Sequence, residues 1–314
     1  MWVWIPRFAY RINESNQTVD VVFLQGTSNN YYDENGILRE AKRCKNADDI
    51  IDTTEGFTVH PAFTDESSIG FRNGGWDSEI EGIWVAKFEA GYATGGENTA
   101  SIKASNVNYT QTQVWSAAVE NGTSEEGSIS ARNWLDGIYG ETTTAIKYPT
   151  FQGSAYSMNY ISTGDAYSIS RVLTEAGNIY GIYDISGGVW ERTTGYINNG
   201  NENLSKYGNS FVTGTSNKYS TVYPYSDEGT NNTEKEQNNY ALNTKIYGDA
   251  IKETSKEGTV NSSWYEDYSY YLRNNGQFFK RGGFYEDDKA AGIIAFHPTD
   301  GYNPYKYGFR CILI

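Results

Sequence analysis

The stretch YDISGGVWERTTGYI, residues 183–197, sets a pair of glycines directly before a segment with aromatic and β-branched residues. Glycine adopts positive φ at low cost, so Gly187 and Gly188 predict a tight turn. The residues that follow favour a strand, and the indole of Trp190 near its start can cover a hydrophobic core. The nearby carboxylates suit hydrogen bonds to exposed backbone amides. A catalytic carboxylate pair is the alternative, but no nucleophile, metal ligand or base accompanies it.

Two arginines further along the chain also lie beside glycines and aromatic residues. Arg281 is in KRGGFY, residues 280–285, and Arg310 is in YGFRCIL, residues 307–313. A guanidinium in such surroundings can stack on a ring and donate to carboxylates or carbonyls. We therefore expect buried scaffold arginines here rather than phosphate-binding ones.

The composition favours one domain made of short elements. Only 38% of the 314 residues are hydrophobic, yet 8 Trp, 27 Tyr and 13 Phe supply large side chains for a core. The 33 glycines against 6 prolines favour turns and short elements over long helices. Because no repeat or clear linker is present, we expect a single domain over residues 1–314, with polar surface insertions near 27–56 and 198–245.

The local patterns indicate more strands than helices. Aromatic and β-branched residues predict strands over residues 2–12, 18–26, 57–63 and 81–94. The second of these is expected to be the hairpin partner of the first. A short helical turn is predicted near residues 37–45, and the best helix candidate is 110–122.

The net charge of −14 limits the kinds of partner that the chain is expected to bind. It argues against nucleic-acid binding, because phosphate contacts need Lys and Arg, and against polybasic attachment to anionic lipid. No segment approaches the roughly 18–20 apolar residues that cross a bilayer, so we expect no direct membrane insertion by this segment. The first residues lack a signal-peptide pattern, and a missing export or anchor segment stays open.

Metal-binding residues are scarce. Cys44 and Cys311 are too few for a disulfide framework or a zinc site, and one bridge or two free thiols are both open. The only histidines are His60 and His297, which excludes a histidine-rich site. We expect no cofactor. Structural calcium stays open but unassigned, because EF-hand spacing is missing from the acids Asp48, Asp49, Asp52, Asp287 and Asp288.

Five motifs in order resemble the formylglycine-generating-enzyme type of C-type lectin fold. They are WVWIP (2–6), EGIWVAKFEA (81–90), YDISGGVWERT (183–193), RGGFY (281–285) and the closing GFR (308–310). The family's usual sequence at the third motif is close to GNVWEWT. This chain departs from it at Gly188, which replaces the Asn, and at Arg192, which replaces the second Trp. The resemblance implies an α+β fold with short strands, few helices and long irregular loops.

The same resemblance speaks against enzyme activity. The enzymes of that family carry a cysteine pair upstream of Gly-Phe-Arg that binds copper. The corresponding residues here, 291–297, are AGIIAFH and contain no cysteine. Because copper chemistry of this kind needs thiolate ligands, we expect no catalytic residues and no enzyme.

A closer resemblance within that fold is to the variable proteins of diversity-generating retroelements, many of them from gut Firmicutes and their phages. It is carried by AGNIYGIYDISGGVWE (176–191), WYEDYSYYL (264–272) and FFKRGG (278–283). In that family adenine-specific mutagenesis rewrites codons near the 3′ end, and the fold presents the altered side chains on one face. The resemblance implies a variable region at about 281–310. Its scaffold residues would be Trp190, Arg281, Gly282, Gly283, Gly308, Phe309 and Arg310.

The residue types in this region fit such mutagenesis. An AAY codon altered at its adenines cannot encode Lys, Glu, Gln, Met or Trp. Between Gly283 and Gly308 the only residues of these types are Glu286, Lys289 and Lys306. Tyrosine adds rigid amphipathic contact area at low rotamer cost. The predicted ligand-binding residues are Phe284, Tyr285, Asp287, Asp288, Ile293, Phe296, His297, Asp300, Tyr302, Asn303, Tyr305 and Tyr307.

The expected function is therefore ligand binding, as an adhesion or receptor-binding protein. It would be extracellular, on a bacterial cell surface or a phage virion, with an unidentified protein or glycan on a cell surface as its partner. Oligomer formation would add avidity. Two alternatives remain: a copper-dependent oxidase of the formylglycine-generating type, disfavoured by the absent cysteine pair, and a structural pilus or tail-tip component.

Overall fold

The computed structural model describes several separate stretches of the chain. They are residues 2–13, 15, 18–43, 56–65, 76–86, 90–92, 100–102, 190–213, 221–243, 248–259, 262–264, 268–283, 294–301, 307–308 and 312–314. The predicted helix at 110–122 and the predicted glycine turn at 187–188 lie outside these residues.

Short strands dominate the described part of the chain. They are β1 (Trp2–Pro6), β2 (Phe8–Asn13), β3 (Thr18–Phe23), β4 (Asn30–Tyr32), β5 (Leu38–Glu40), β6 (Thr58–Val59), β7 (Gly82–Ala86), β8 (Ala90–Tyr92), β9 (Ala100–Ile102), β10 (Trp190–Ile197), β11 (Thr221–Tyr223), β12 (Phe278–Arg281), β13 (Phe296–Thr299), β14 (Tyr307–Gly308) and β15 (Ile312–Leu313). The helices there are α1 (Glu202–Thr213), α2 (Asn232–Leu242) and a 3₁₀ turn at Pro61–Phe63. The fold is thus strand-rich, with few helices among these residues.

The strands form several small sheets rather than one large one. The order β1-β7-β15 makes one three-stranded sheet and β3-β2-β6 makes another. Two hairpins, β4-β5 and β8-β9, are separate. A five-stranded sheet has the order β11-β10-β12-β13, with β14 also paired to β10. We call this last one the C-terminal sheet, and it carries the residues of interest.

Buried side chains of the described residues form a large N-terminal core, a C-terminal core and a smaller cluster of Ala9, Leu24, Ala41 and Val59. The N-terminal core contains Ile5, Phe8, Tyr10, Ile12, Val19, Ala62, Phe63, Trp76, Ile83, Val85, Ile294 and Ile312. The C-terminal core contains Ile197, Tyr223, Tyr240, Ile251, Tyr271, Leu272, Phe279 and Phe296. Its rings meet edge to face, the geometry that the aromatic quadrupole favours: Phe279 and Phe296 are 5.9 Å apart at 90°.

The predicted first strand, residues 2–12, is divided in the structure. Arg7 separates β1 from β2 because its N–H donates to the carbonyl of Glu81 while its buried guanidinium donates to the carbonyl of Phe63. As a result β1 pairs with β7, and only β2 pairs with β3. The predicted hairpin is therefore formed by residues 8–13 with 18–23.

The helical turn predicted near residues 37–45 is wrong for residues 37–43, and residues 44 and 45 lie outside the described part of the chain. Asp33 Oδ1 accepts the N–H groups of Asn35 and Ile37 at 3.0 and 2.9 Å, and Gly36 has φ 72°. These bonds close a turn that carries the chain from β4 back into β5. A local side-chain hydrogen bond thus competes with helix formation.

The surface insertion predicted at 198–245 also needs correction. The described residues of this range form α1, β11 and α2, and β11 extends the C-terminal sheet by parallel pairing with β10. Tyr223 and Tyr240 from this range are buried in the C-terminal core. The buried rings of Tyr223 and Tyr240, with the buried Leu204, attach this mostly polar segment to the rest of the fold, which its average composition does not reveal.

Candidate functional site

The C-terminal sheet separates two kinds of side chain. Residues paired across strands share a face, and consecutive residues alternate. Glu191, Arg281 and Phe296 are in register across β10, β12 and β13, and all three are fully or almost fully buried. This row defines the inner face, which lies against the C-terminal core.

The neighbouring row lies on the opposite, outer face. Arg192 pairs with Lys280, and Lys280 pairs with His297. Arg192 and Lys280 are themselves buried, so His297 is the partly exposed member of this row. His297 is half-buried, whereas Phe296 beside it is completely buried. Trp190 lies 5.7 Å from the His297 ring, and Lys280 Nζ lies 4.4 Å from the Trp190 ring centroid.

Residues 268–270 extend this outer face past β13. Phe296 donates its N–H to the carbonyl of Tyr268 at 2.8 Å, and Tyr270 donates its N–H to the carbonyl of Phe296 at 3.1 Å. Ser269 is buried beside Phe296, so alternation puts Tyr268 and Tyr270 on the side of His297. Their rings lie 6.0 and 5.0 Å from the His297 ring. We call Trp190, Tyr268, Tyr270, Lys280 and His297 the outer aromatic face. Trp190 and Lys280 are buried beneath it, and Tyr268, Tyr270 and His297 are the partly exposed members that a ligand could reach.

The polar groups of this face have distinct surroundings. His297 Nδ1 lies 2.8 Å from the carbonyl oxygen of Pro298. Since a carbonyl only accepts, Nδ1 carries the hydrogen. Burial, and next the neighbouring Tyr268, raise the pKa of Tyr270, so its hydroxyl stays protonated and can both donate and accept. Such a set of rings and hydroxyls is suited to stacking and hydrogen bonding with a ligand, as in antibody paratopes.

Arg281 stabilises β12 from the inner face of the C-terminal sheet. It is fully buried, donates from Nη1 to the carbonyl of Asp249 at 2.9 Å and lies 5.7 Å from the Phe296 ring centroid. Gly282 and Gly283 follow with φ 86° and 82°, a region that non-glycine residues rarely adopt. The chain therefore turns sharply at the end of β12, where the predicted variable region begins.

The structure places only some of the predicted ligand-binding residues. His297 lies on the outer aromatic face, and Asp300 is exposed just after β13. The backbone of Tyr307 pairs in parallel with Trp190, and that of Gly308 with Glu191. Outside the described residues are Phe284, Tyr285, Asp287, Asp288, Ile293, Tyr302, Asn303, Tyr305, Phe309 and Arg310.

Phe296 is a correction to the predicted face. Its side chain is completely buried and contacts Phe279 and Arg281 on the inner side of the sheet. A side chain in that position cannot reach a ligand at the surface. Phe296 therefore belongs to the core.

Sequence reasoning missed Tyr268, Tyr270 and Lys280 as members of the face. The signal was present in WYEDYSYYL, residues 264–272, where Tyr268 and Tyr270 flank a small residue with strand-like alternation. That motif served only as a family marker. Nothing in the sequence indicates which strand it adjoins.

The described residues hold no group of three or more His, Cys, Asp and Glu side chains arranged to bind a metal ion. Both cysteines lie outside these residues. A search of the helices within the same residues finds none with the length and apolar character needed to span a membrane. No protein-family model matches the chain, and no curated protein matches it either.

Proposed function

We propose that this chain is a ligand-binding protein with a C-type lectin fold of the formylglycine-generating-enzyme type. More particularly, we propose that it is a variable protein of a diversity-generating retroelement, acting as an adhesion or receptor-binding protein on a bacterial surface or a virion. The ordered motifs along the chain support both statements.

The observation that carries the proposal is the contrast between adjacent residues of β13. Phe296 is completely buried in the core, and His297 is half-buried among aromatic rings. A sheet of this kind lets an outer side chain change while the inner row stays packed. Binding by a varied face on a constant scaffold requires that separation.

Deep amplicon sequencing of codons 264–314 in a population that carries the gene tests the proposal. Substitutions are expected at adenine-containing codons between Gly283 and Gly308, including those of Tyr302 and Tyr305. The tyrosine codons 268 and 270 are the matched control, since they encode the same residue type outside the variable region. They should remain constant, together with codon 281.

A uniform sequence between codons 283 and 308 would overturn diversification. It would favour the structural pilus or tail-tip component, which needs no variation in this region. Substitutions spread evenly over codons 264–314 would also contradict the proposal, because ordinary drift does not respect the template region. The oxidase alternative would regain support only if the purified protein bound copper and oxidised a cysteine-containing peptide.

A further inference from the structure

Residues 248–255, here called the acid segment, join the two halves of the described structure. Gly248 comes so close to the N-terminal half that an added Cβ would lie 2.4 Å from Pro61 Cγ and 3.3 Å from the His60 ring. The next residue, Asp249, accepts a hydrogen bond from the Tyr223 hydroxyl at 2.8 Å. Tyr223 belongs to β11 of the C-terminal sheet, so this segment contacts both cores.

Two carboxyl groups are buried in the acid segment. Asp249 is 4% exposed and Glu253 is 7% exposed. Glu253 Oε1 accepts from the Tyr10 hydroxyl at 3.3 Å and from the N–H of Gly248. Glu253 Oε2 is buried without a hydrogen-bond partner among the described residues. A carboxylate in that position would carry a buried charge without an ion-pair partner among the described residues, which destabilises the folded state strongly.

The charged and titratable groups around the pair come from several elements. Arg281 of β12 attracts Asp249, and the Tyr223 hydroxyl donates to it. Lys252 is half-buried beside both acids, with its Nζ 4.1 Å from the Tyr240 ring centroid. Tyr10 and the fully buried His60 face the segment from the N-terminal half.

These groups do not neutralise Glu253 as an ion pair would. No cation of the described residues lies within salt-bridge distance of it: Lys252 attracts it without forming an ion pair, and Arg281 acts on Asp249. Burial, and next the Asp249 charge, raise the pKa of Glu253 to about 8. Burial also raises the pKa of Asp249.

We propose that Glu253, with Asp249, forms a proton-dependent contact between the N-terminal half and the C-terminal sheet. We call this contact the latch. It stabilises the folded protein when Glu253 is protonated and weakens when Glu253 ionises. The latch is independent of the proposed function, since it involves none of the predicted variable residues.

The direction of the pH dependence is set by Glu253, with the raised pKa of Asp249 acting in the same direction and the lowered pKa of His60 acting against it. Glu253 has an ordinary pKa of 4.5 and a folded pKa of about 8, so its stabilisation is complete below pH 4.5 and is lost as the pH rises through 8. His60 behaves oppositely: burial lowers its pKa from 6.5 to about 3, so its contribution is present above pH 6.5 and is lost on acidification. Between pH 4.5 and pH 6.5 the contributions of Glu253 and His60 to stability change in opposite directions as the pH changes. Above pH 6.5 the contribution of His60 is constant, and of these two groups only Glu253 still changes stability with pH.

Unfolding free energies measured by urea titration at intervals between pH 6.5 and 8 test the latch. The folding equilibrium constant is expected to fall by up to about tenfold per pH unit, the slope for one linked proton. E253Q keeps the shape and Oε1 acceptor without a titrating proton, so its slope should be flatter. E257Q, at an exposed position only four residues away, is the matched control and should keep the wild-type slope.

A second measurement decides the matter even if E253Q does not fold. Protein labelled with ¹³C at glutamate side-chain carboxyl groups should show an infrared band of a protonated carboxylic acid at pH 7 that disappears as the pH rises past 8. Labelling of glutamate alone excludes Asp249 from the signal. Absence of this band at pH 7, or equal pH slopes for wild type and E253Q, would overturn the latch.

Discussion

Arg7 in the N-terminal half and Arg281 in the C-terminal sheet are both fully buried, but they make different contacts. Arg7 in the N-terminal half forms an ion pair of 2.5 Å with Glu79, which also binds Arg43. Arg281 in the C-terminal sheet donates to a backbone carbonyl and lies near an aromatic ring, with the Asp249 carboxyl in its field.

This difference matches what each arginine holds together. Arg7 donates to Ser28, Asn29 and Phe63 as well, so it joins loops that are far apart in sequence. Arg281 instead supports a regular strand whose other side carries the outer aromatic face. Buried cations can thus join distant loops, as Arg7 does, or support a strand of a sheet, as Arg281 does.

Replacing Arg7 should have the largest effect. Arg7→Leu leaves the Phe63 carbonyl and Glu79 without their buried donor, and we expect a loss of about 3–5 kcal/mol in unfolding free energy. The control is Arg11→Leu, which breaks the pair with Asp20 on side chains that are about 40% exposed. That change should cost about 0.2–1 kcal/mol in urea titrations. Equal losses for the two variants would show that Arg7 does not organise the loops.

The two faces of β13 can be compared by alanine substitution. Phe296→Ala opens a cavity in the C-terminal core, and we expect a loss of about 3–5 kcal/mol. His297→Ala removes ring contacts at a half-buried position, which should cost about 1 kcal/mol. Urea titrations of both variants give the comparison. A larger loss at His297 would contradict the assignment of the inner and outer faces.

A smaller loss of stability is expected when each of two buried glycines, one in each half, is replaced by alanine. An added Cβ at Gly82 would lie 2.5 Å from the backbone oxygen of Ile5 and 2.4 Å from the Trp4 ring. At Gly276 the nearest atom would be a side-chain carbon of Pro298 at 2.7 Å. We expect Gly82→Ala to cost about 1–3 kcal/mol and Gly276→Ala to fall at the lower end of that range. Thermal unfolding of both variants measures the difference, and the reverse order would mean that the β1–β7 contact adjusts easily.

Much of the strand content could be predicted from local sequence. The aromatic and β-branched runs at 2–12 and 18–26 cover β1, β3 and all but the last residue of β2, and residues 183–197 contain β10. The errors have physical causes. At residues 37–45 the hydrogen bonds of Asp33 favour a hairpin, and at 198–245 two buried tyrosines secure a polar segment to the core.

The candidate site was less accessible to sequence reasoning. The codon pattern treats Phe296 and His297 alike, because both residue types are permitted. The burial of one and the partial exposure of the other depend on the register of β12 with β13. The contribution of Tyr268 and Tyr270 depends on a contact between chain segments about 27 residues apart, as the Ser269–Phe296 bridge places them.

The sequence by itself determined the residue types available: a strongly acidic chain, rich in tyrosine and glycine, with Trp and Arg motifs in an order that resembles one lectin-like family. Only the tertiary structure decided which face each residue occupies, that Arg7 meets Glu79, and that two carboxyl groups are buried between the halves. The physical reason is that strand alternation defines two faces without choosing the inner one. That choice depends on pairings between residues far apart in the chain, which local patterns do not encode.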